Sequence, residues 1–129
     1  MVGTERMTAA ELRGRHDQPK GQKYGAQRET VDGITFDSRK EARRYQQLRL
    51  LLRAGDIADL RRQVAIELEG RDGPVLTRTG RRMKITVDFA YTDLRTGLTV
   101  YEDAKGLPTR DYEVRRAVAA AQGVEVIEV

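Results

Sequence analysis

Cysteine and asparagine are missing from the 129 residues, and histidine occurs once. The missing thiols exclude disulfides, thiolate zinc sites and cysteine nucleophiles. A single histidine, His16, excludes metal clusters built on imidazole, and a histidine-based triad would have to rest on that one residue. No apolar run approaches the ~20 residues that a membrane-spanning helix requires, so no membrane partner is expected. The opening Met1 to Arg6 has no apolar h-region, which predicts no secretory signal. What remains for catalysis is carboxylate, lysine and a hard cation.

Charge, by contrast, is plentiful. Lys and Arg number 24 against 20 Asp and Glu, giving a net charge of +4 and a pI near 9.6. Charged residues make up 34% and apolar residues 39%, which predicts a heavily charged surface around the modest core of one domain. Arginine outnumbers lysine 19 to 5. Its planar fork suits phosphates and is compatible with a nucleic-acid partner. A GC-rich genome or a hot habitat, where heat-labile residues are scarce, gives the same bias. Composition leaves both readings open.

Residues 1–30 differ from the rest. They carry several glycines, little apolar periodicity and the cations Arg13, Arg15, Lys20, Lys23 and Arg28, with Tyr24 among them. Thr8 to Glu11 has capping-box spacing for a short helix; otherwise this reads as a basic, flexible arm that orders on a partner. Val31 to Phe36 reads as a hairpin around Asp32-Gly33. Ser38 and Glu41 form a capping box, and Ala42, Tyr45, Leu48 and Leu52 follow at helical spacing until Gly55. Strands are expected over Val64 to Leu68, Lys84 to Tyr91 and Leu98 to Lys105, with turns at Gly70 to Pro74 and Asp93 to Gly97. Thr109 caps a helix to about Gln122, Gly123 ends it, and Val124 to Val129 makes a last strand. The order predicts an α/β core over 31–129, a mixed central sheet flanked by helices.

Asp88 lies in an alternating strand, and Asp103 and Lys105 share one face of the next. The connection is short enough for antiparallel neighbours, which brings Asp88 near Asp103. Two such carboxylates repel by several kcal/mol unless a cation lies between them. A Mg²⁺ ion with oxygen ligands removes the repulsion, and a lysine beside it orients water or neutralises charge on a phosphate. That is the chemistry of phosphodiester hydrolysis.

Asp88, Asp103-Ala104-Lys105 and the helical Glu41 together resemble the PD-(D/E)XK nuclease superfamily. The runs Phe36 to Ala42, Val87 to Tyr91 and Glu102 to Gly106 are similar to small phage-encoded members related to Holliday junction resolvases. The likeness spans about residues 24–129. It implies a restriction-endonuclease-like fold, with Mg²⁺ (Mn²⁺ able to substitute) held by Asp88, Asp103 and the Ala104 carbonyl, and Glu41 contributing directly or through water. Catalysis would rest on Glu41, Asp88, Asp103 and Lys105. It further implies a homodimer that cuts four-way DNA junctions in the cytoplasm of a bacterial host. One departure is Val87, where many members carry proline. The cations of the arm, with Tyr24, Arg43 and Arg44, are the expected DNA contacts. Glu41 also has a plain reading as the capping-box partner. Glu102 faces away from Asp103 and stays outside the set, Gln63 at the head of its strand reads first as an ordinary strand residue and second as a support of the site, and the other arginine pairs read mostly as solvated faces. Two other functions remain: a less selective endonuclease of branched or duplex DNA, and a non-catalytic DNA-binding module. An RNA-directed nuclease is open as well.

Overall fold

A computed structural model describes residues 27–104 and 108–129. Contacts divide the chain into two compact units, up to Ala42 and from Arg43 onward, and the boundary falls inside the first helix. In the first unit, β1 (Glu29–Val31) pairs antiparallel with β2 (Ile34–Phe36). Asp32 and Gly33 make the turn, both with positive φ (53° and 76°), as a tight hairpin requires. The hairpin starts two residues earlier than the sequence pattern predicts, because Glu29 and Thr30 lie opposite Phe36 and Thr35. Helix α1 (Arg39–Ala54) starts as expected, with the Glu41 N–H donating to Ser38 Oγ at 3.1 Å.

In the second unit α1 ends in a Schellman motif. Asp56 N–H donates to Leu51 O and Gly55 N–H to Leu52 O, and Gly55 takes φ +84°. Tyr45 and Leu48 are buried, and the Tyr45 ring stacks on Phe89 with centroids 6.4 Å apart. Thus the predicted apolar stripe is what fixes α1 on the sheet.

The main sheet has the order β3-β6-β7-β8, comprising β3 (Ile57–Glu67), β6 (Lys84–Asp93), β7 (Leu98–Asp103) and β8 (Val126–Glu128). The first two pairings are antiparallel and β7 with β8 is parallel. The two-residue strands β4 (Glu69–Gly70) and β5 (Gly73–Pro74) form a small ribbon between β3 and β6. Strand β3 is seven residues longer at its start than the pattern indicates. The register shifts between Ala58 and Arg61, and Asp59 and Gln63 have positive φ, so a charged, irregular edge strand hides its own alternation.

Helix α2 (Arg110–Ala121) is capped by Thr109, whose side chain accepts from Tyr112 N–H at 3.1 Å. Gly123, at φ +99°, ends it, and Val124 N–H returns to Ala119 O. Gln122 ties this end to the sheet, donating to Glu67 O at 3.0 Å and accepting from Glu69 N–H at 2.7 Å. Leu68, Ile85, Tyr112 and Ala119 form the buried cluster beneath α2. The fold is therefore a mixed four-stranded sheet flanked by helices, restriction-endonuclease-like in class. Among the described residues, no helix is long and apolar enough to cross a membrane.

Candidate active site

Asp88 and Asp103 come together because β6 and β7 pair with Phe89 opposite Glu102, which sets Asp88 across from Asp103. Three hydrogen bonds fix them. Asp88 N–H donates to Asp103 Oδ1 at 3.3 Å, and Ala104 N–H donates to Asp88 Oδ2 at 2.8 Å. Gln63 Nε2 reaches from β3 to Asp88 Oδ1 at 3.2 Å. Both oxygens of Asp88 thus accept from protein donors, which sets the plane of its carboxylate. Each oxygen keeps a further lone-pair direction for a cation.

Asp103 has no solvent exposure. On its helix side stands Tyr112, one turn into α2 and placed there by the Thr109 cap. Burial first, then the negative charge of Asp103, holds the Tyr112 phenol well above the ordinary tyrosine range. The phenol therefore stays a neutral neighbour of the carboxylate.

Two carboxylates side by side, with the Ala104 main chain between them, form a hard oxygen donor set. Mg²⁺ is commonly bound through one or two carboxylates plus substrate phosphates, retaining several waters, so the residues present fit that ion. Among the described residues no third acidic or histidine side chain joins them in one cluster. Glu41 belongs to the first unit, where it is buried and its N–H is bound to the capping Ser38. Lys105 lies outside the described residues, as do Arg13, Arg15, Lys20, Lys23 and Tyr24.

The neighbouring acid in β7, Glu102, does face the other way. It is 2% exposed and accepts from Arg44 twice, Nε at 2.8 Å and Nη2 at 2.7 Å. Tyr91 O–H donates to the same Oε2. The Glu102 carboxylate raises the Arg44 pKa, while burial first and Glu102 second push the Tyr91 phenol up to about 12. Arg44 was expected among the DNA-contacting cations; its guanidinium is instead spent on Glu102, with Nη1 on Gln47 at 2.9 Å. Arg28 and Arg43 are exposed.

Sequence reasoning passed over Tyr112 and weighed Gln63 as a support of the site only behind its plainer reading. Gln63 looked like strand filler, and only its backbone exposes its role: φ is +51° at a non-glycine residue, between the paired positions Arg62 and Val64. Such a conformation costs of order 1–2 kcal/mol, and it occurs here beside a carboxylate that needs a donor. Nothing in a linear pattern marks it. For Tyr112 the available signal was the Thr109 cap, which fixes the helix start but not the strand it faces.

The fold and this pair of carboxylates define an α/β protein with a compact acidic site where the end of β7 meets the middle of β6. Residues 21–127 match DUF1064, described as a protein of unknown function, and the chain belongs to that family. No curated protein and no solved structure matches it.

Proposed function

We propose that this protein is a divalent-cation-dependent endonuclease that hydrolyses phosphodiester bonds in DNA, acting as a homodimer on four-way junctions. On this reading it is a phage protein that works in the cytoplasm of a bacterial host. The observation that carries the proposal is the pairing of Asp88 with the fully buried Asp103 through the Asp88 and Ala104 main-chain N–H groups. A buried carboxylate beside a second one is electrostatically costly, and a hard cation is the group that relieves it.

Asp88 and Asp103 would hold Mg²⁺, with the Ala104 carbonyl as a further oxygen ligand. The bound ion supplies charge neutralisation at the scissile phosphate and lowers the pKa of a water. Gln63 and Ala104 N–H keep the Asp88 carboxylate in one plane, so the site need not reorganise when phosphate arrives. Tyr112 closes the inner side of Asp103 and keeps bulk water from it. Lys105, two residues along the sequence from Asp103, is the candidate for orienting the attacking water.

The test uses a labelled four-way junction, a matched duplex and a single strand, each with Mg²⁺ or EDTA. Symmetric nicks confined to the junction, lost in EDTA, are expected. Equal cutting of all three substrates would replace junction selectivity with general endonuclease activity. No cutting with retained binding would leave a DNA-binding module. Asp88→Asn and Asp103→Asn should each abolish cleavage while DNA binding stays intact or tightens, because a negative charge near phosphate is removed. Wild-type rates in either variant would refute the site.

A further inference from the structure

The segment between β3 and β6 holds a feature that the acidic site does not use. From Arg71 to Lys84 it carries Arg71, Arg78, Arg81, Arg82 and Lys84 against one acid, Asp72. Its excess of positive charge equals the net +4 of the entire chain. The segment is nonetheless ordered. Leu68 N–H donates to Met83 O, Val75 N–H to Leu68 O and Met83 N–H to Val75 O, a three-way set of main-chain bonds. Val75 and Met83 pack inward on the cluster beneath α2. The tip closes by Thr77 N–H to Arg81 O at 2.8 Å, Gly80 N–H to Thr77 O at 3.0 Å and Arg81 N–H to Thr77 Oγ1 at 3.1 Å. Leu76, Arg78, Arg81 and Arg82 are left outward in solvent. A basic tip on an anchored stem is a surface built to meet an anion of some length.

The tip is joined to the acidic site by one strand. Lys84, Thr86 and Asp88 alternate onto one face of β6, and Lys84 and Thr86 are exposed. Beside them opens a cleft of about 440 Å³ lined by Lys84, Thr86, Thr109, Asp111, Tyr112 and Arg115. Arg115 is held in it by Asp111 at 2.8 Å and by the Lys84 carbonyl at 2.6 Å. From Asp88 to Arg81 is seven residues, at most about 23 Å of extended chain. At 3.4 Å of rise per nucleotide, that is roughly seven base pairs.

We infer that the DNA arm on one side of the scissile phosphate lies along the Thr86–Lys84 cleft and that its backbone is gripped by Arg78 and Arg81 at the tip. This rests on the nuclease reading and adds to it the direction of the bound arm and an upper limit of about seven base pairs on the length the grip needs. Phosphate is the contact, so the grip carries no sequence preference.

The experiment measures DNA affinity in EDTA, against salt and against arm length, for the full chain and for Arg78→Ala/Arg81→Ala. Both side chains are exposed, so folding is not at stake. The double variant should lower the slope of log affinity on log salt by ~1.4–1.8, two contacts at ~0.7–0.9 each. Wild-type affinity should drop when one arm is cut below about seven base pairs, and the variant should not respond to that cut. Arg78→Lys/Arg81→Lys should restore the slope, since a point charge suffices for phosphate. An unchanged slope in the alanine variant, with Mg²⁺-dependent cutting by the wild type, would overturn the inference and leave the nuclease intact. A reduced slope in the alanine variant, with a wild type that never cuts, would keep the basic grip on DNA and overturn the nuclease reading. Equal dependence on both arms, or tighter binding to an RNA duplex, would also overturn it.

Discussion

At Gln63 a single residue joins backbone strain to the site. Its left-handed φ of +51° is unfavourable for any side chain, and its amide is what Asp88 Oδ1 receives. These two properties can be separated by substitution. Gln63→Gly should relieve the backbone and leave stability equal or raised by up to ~1 kcal/mol, while removing the donor. Gln63→Ala should keep the strain and lose the donor, lowering both stability and activity. Loss of such a supporting hydrogen bond typically costs 10–100-fold in metal affinity or activity. Thermal unfolding of the apo protein and Mn²⁺ binding by electron paramagnetic resonance read the two effects apart. A glycine variant with wild-type ion affinity and cleavage would show that Gln63 serves the backbone alone. Of the site, Asp88 was legible as the polar phase of an alternating strand, and Asp103 from its spacing to Lys105 on the next. Gln63 and Tyr112 were not, since a backbone dihedral and a helix-to-strand contact leave no mark in spacing.

Among the elements, α1 and α2 were the most legible, because caps and Schellman glycines are local chemistry: Ser38 and Gly55 bound one, Thr109 and Gly123 the other. Strand β3 was the least, because its first half is held by pairing to β6 and not by its own alternation. The join of α1 to the sheet is chemically the richest contact, with Arg44 and Tyr91 both on the buried Glu102. A phenol raised from 10.0 to about 12 holds its proton more tightly folded than unfolded. Its stabilising contribution is complete below pH 10 and is lost as pH rises through 12. We predict that the urea midpoint is level from pH 8 to 9.5 and falls above pH 10. Tyr91→Phe should flatten part of that fall, the remainder coming from Tyr112, which is shifted the same way. A midpoint independent of pH up to 11 would contradict the buried arrangement.

For the molecule as a whole, one chain supplies one pair of acidic residues, and symmetric cutting of two opposed strands needs two pairs about a twofold axis. We predict that the 14.6 kDa chain sediments as a dimer at micromolar concentration, alone or on a junction. A monomer in both conditions would favour single-strand nicking. Overall architecture was readable from the order of elements, whereas the concentration of charge in residues 71–84 meant little until the stem was seen to hold it in one place. The back-to-back acids of β7 have a consequence for folding itself. Glu102 and Asp103 are chemically similar neighbours, so a one-residue slip of β7 against β6 would set Glu102 across from Asp88 and still present a carboxylate to it. Arg44 and Tyr91 accept only the true alignment, since the slipped chain would set Tyr101 across from Phe89, where their partner Glu102 belongs. The salt bridge on the far side of the sheet thus acts as an error check at assembly, rejecting a misaligned chain that would still set two carboxylates side by side.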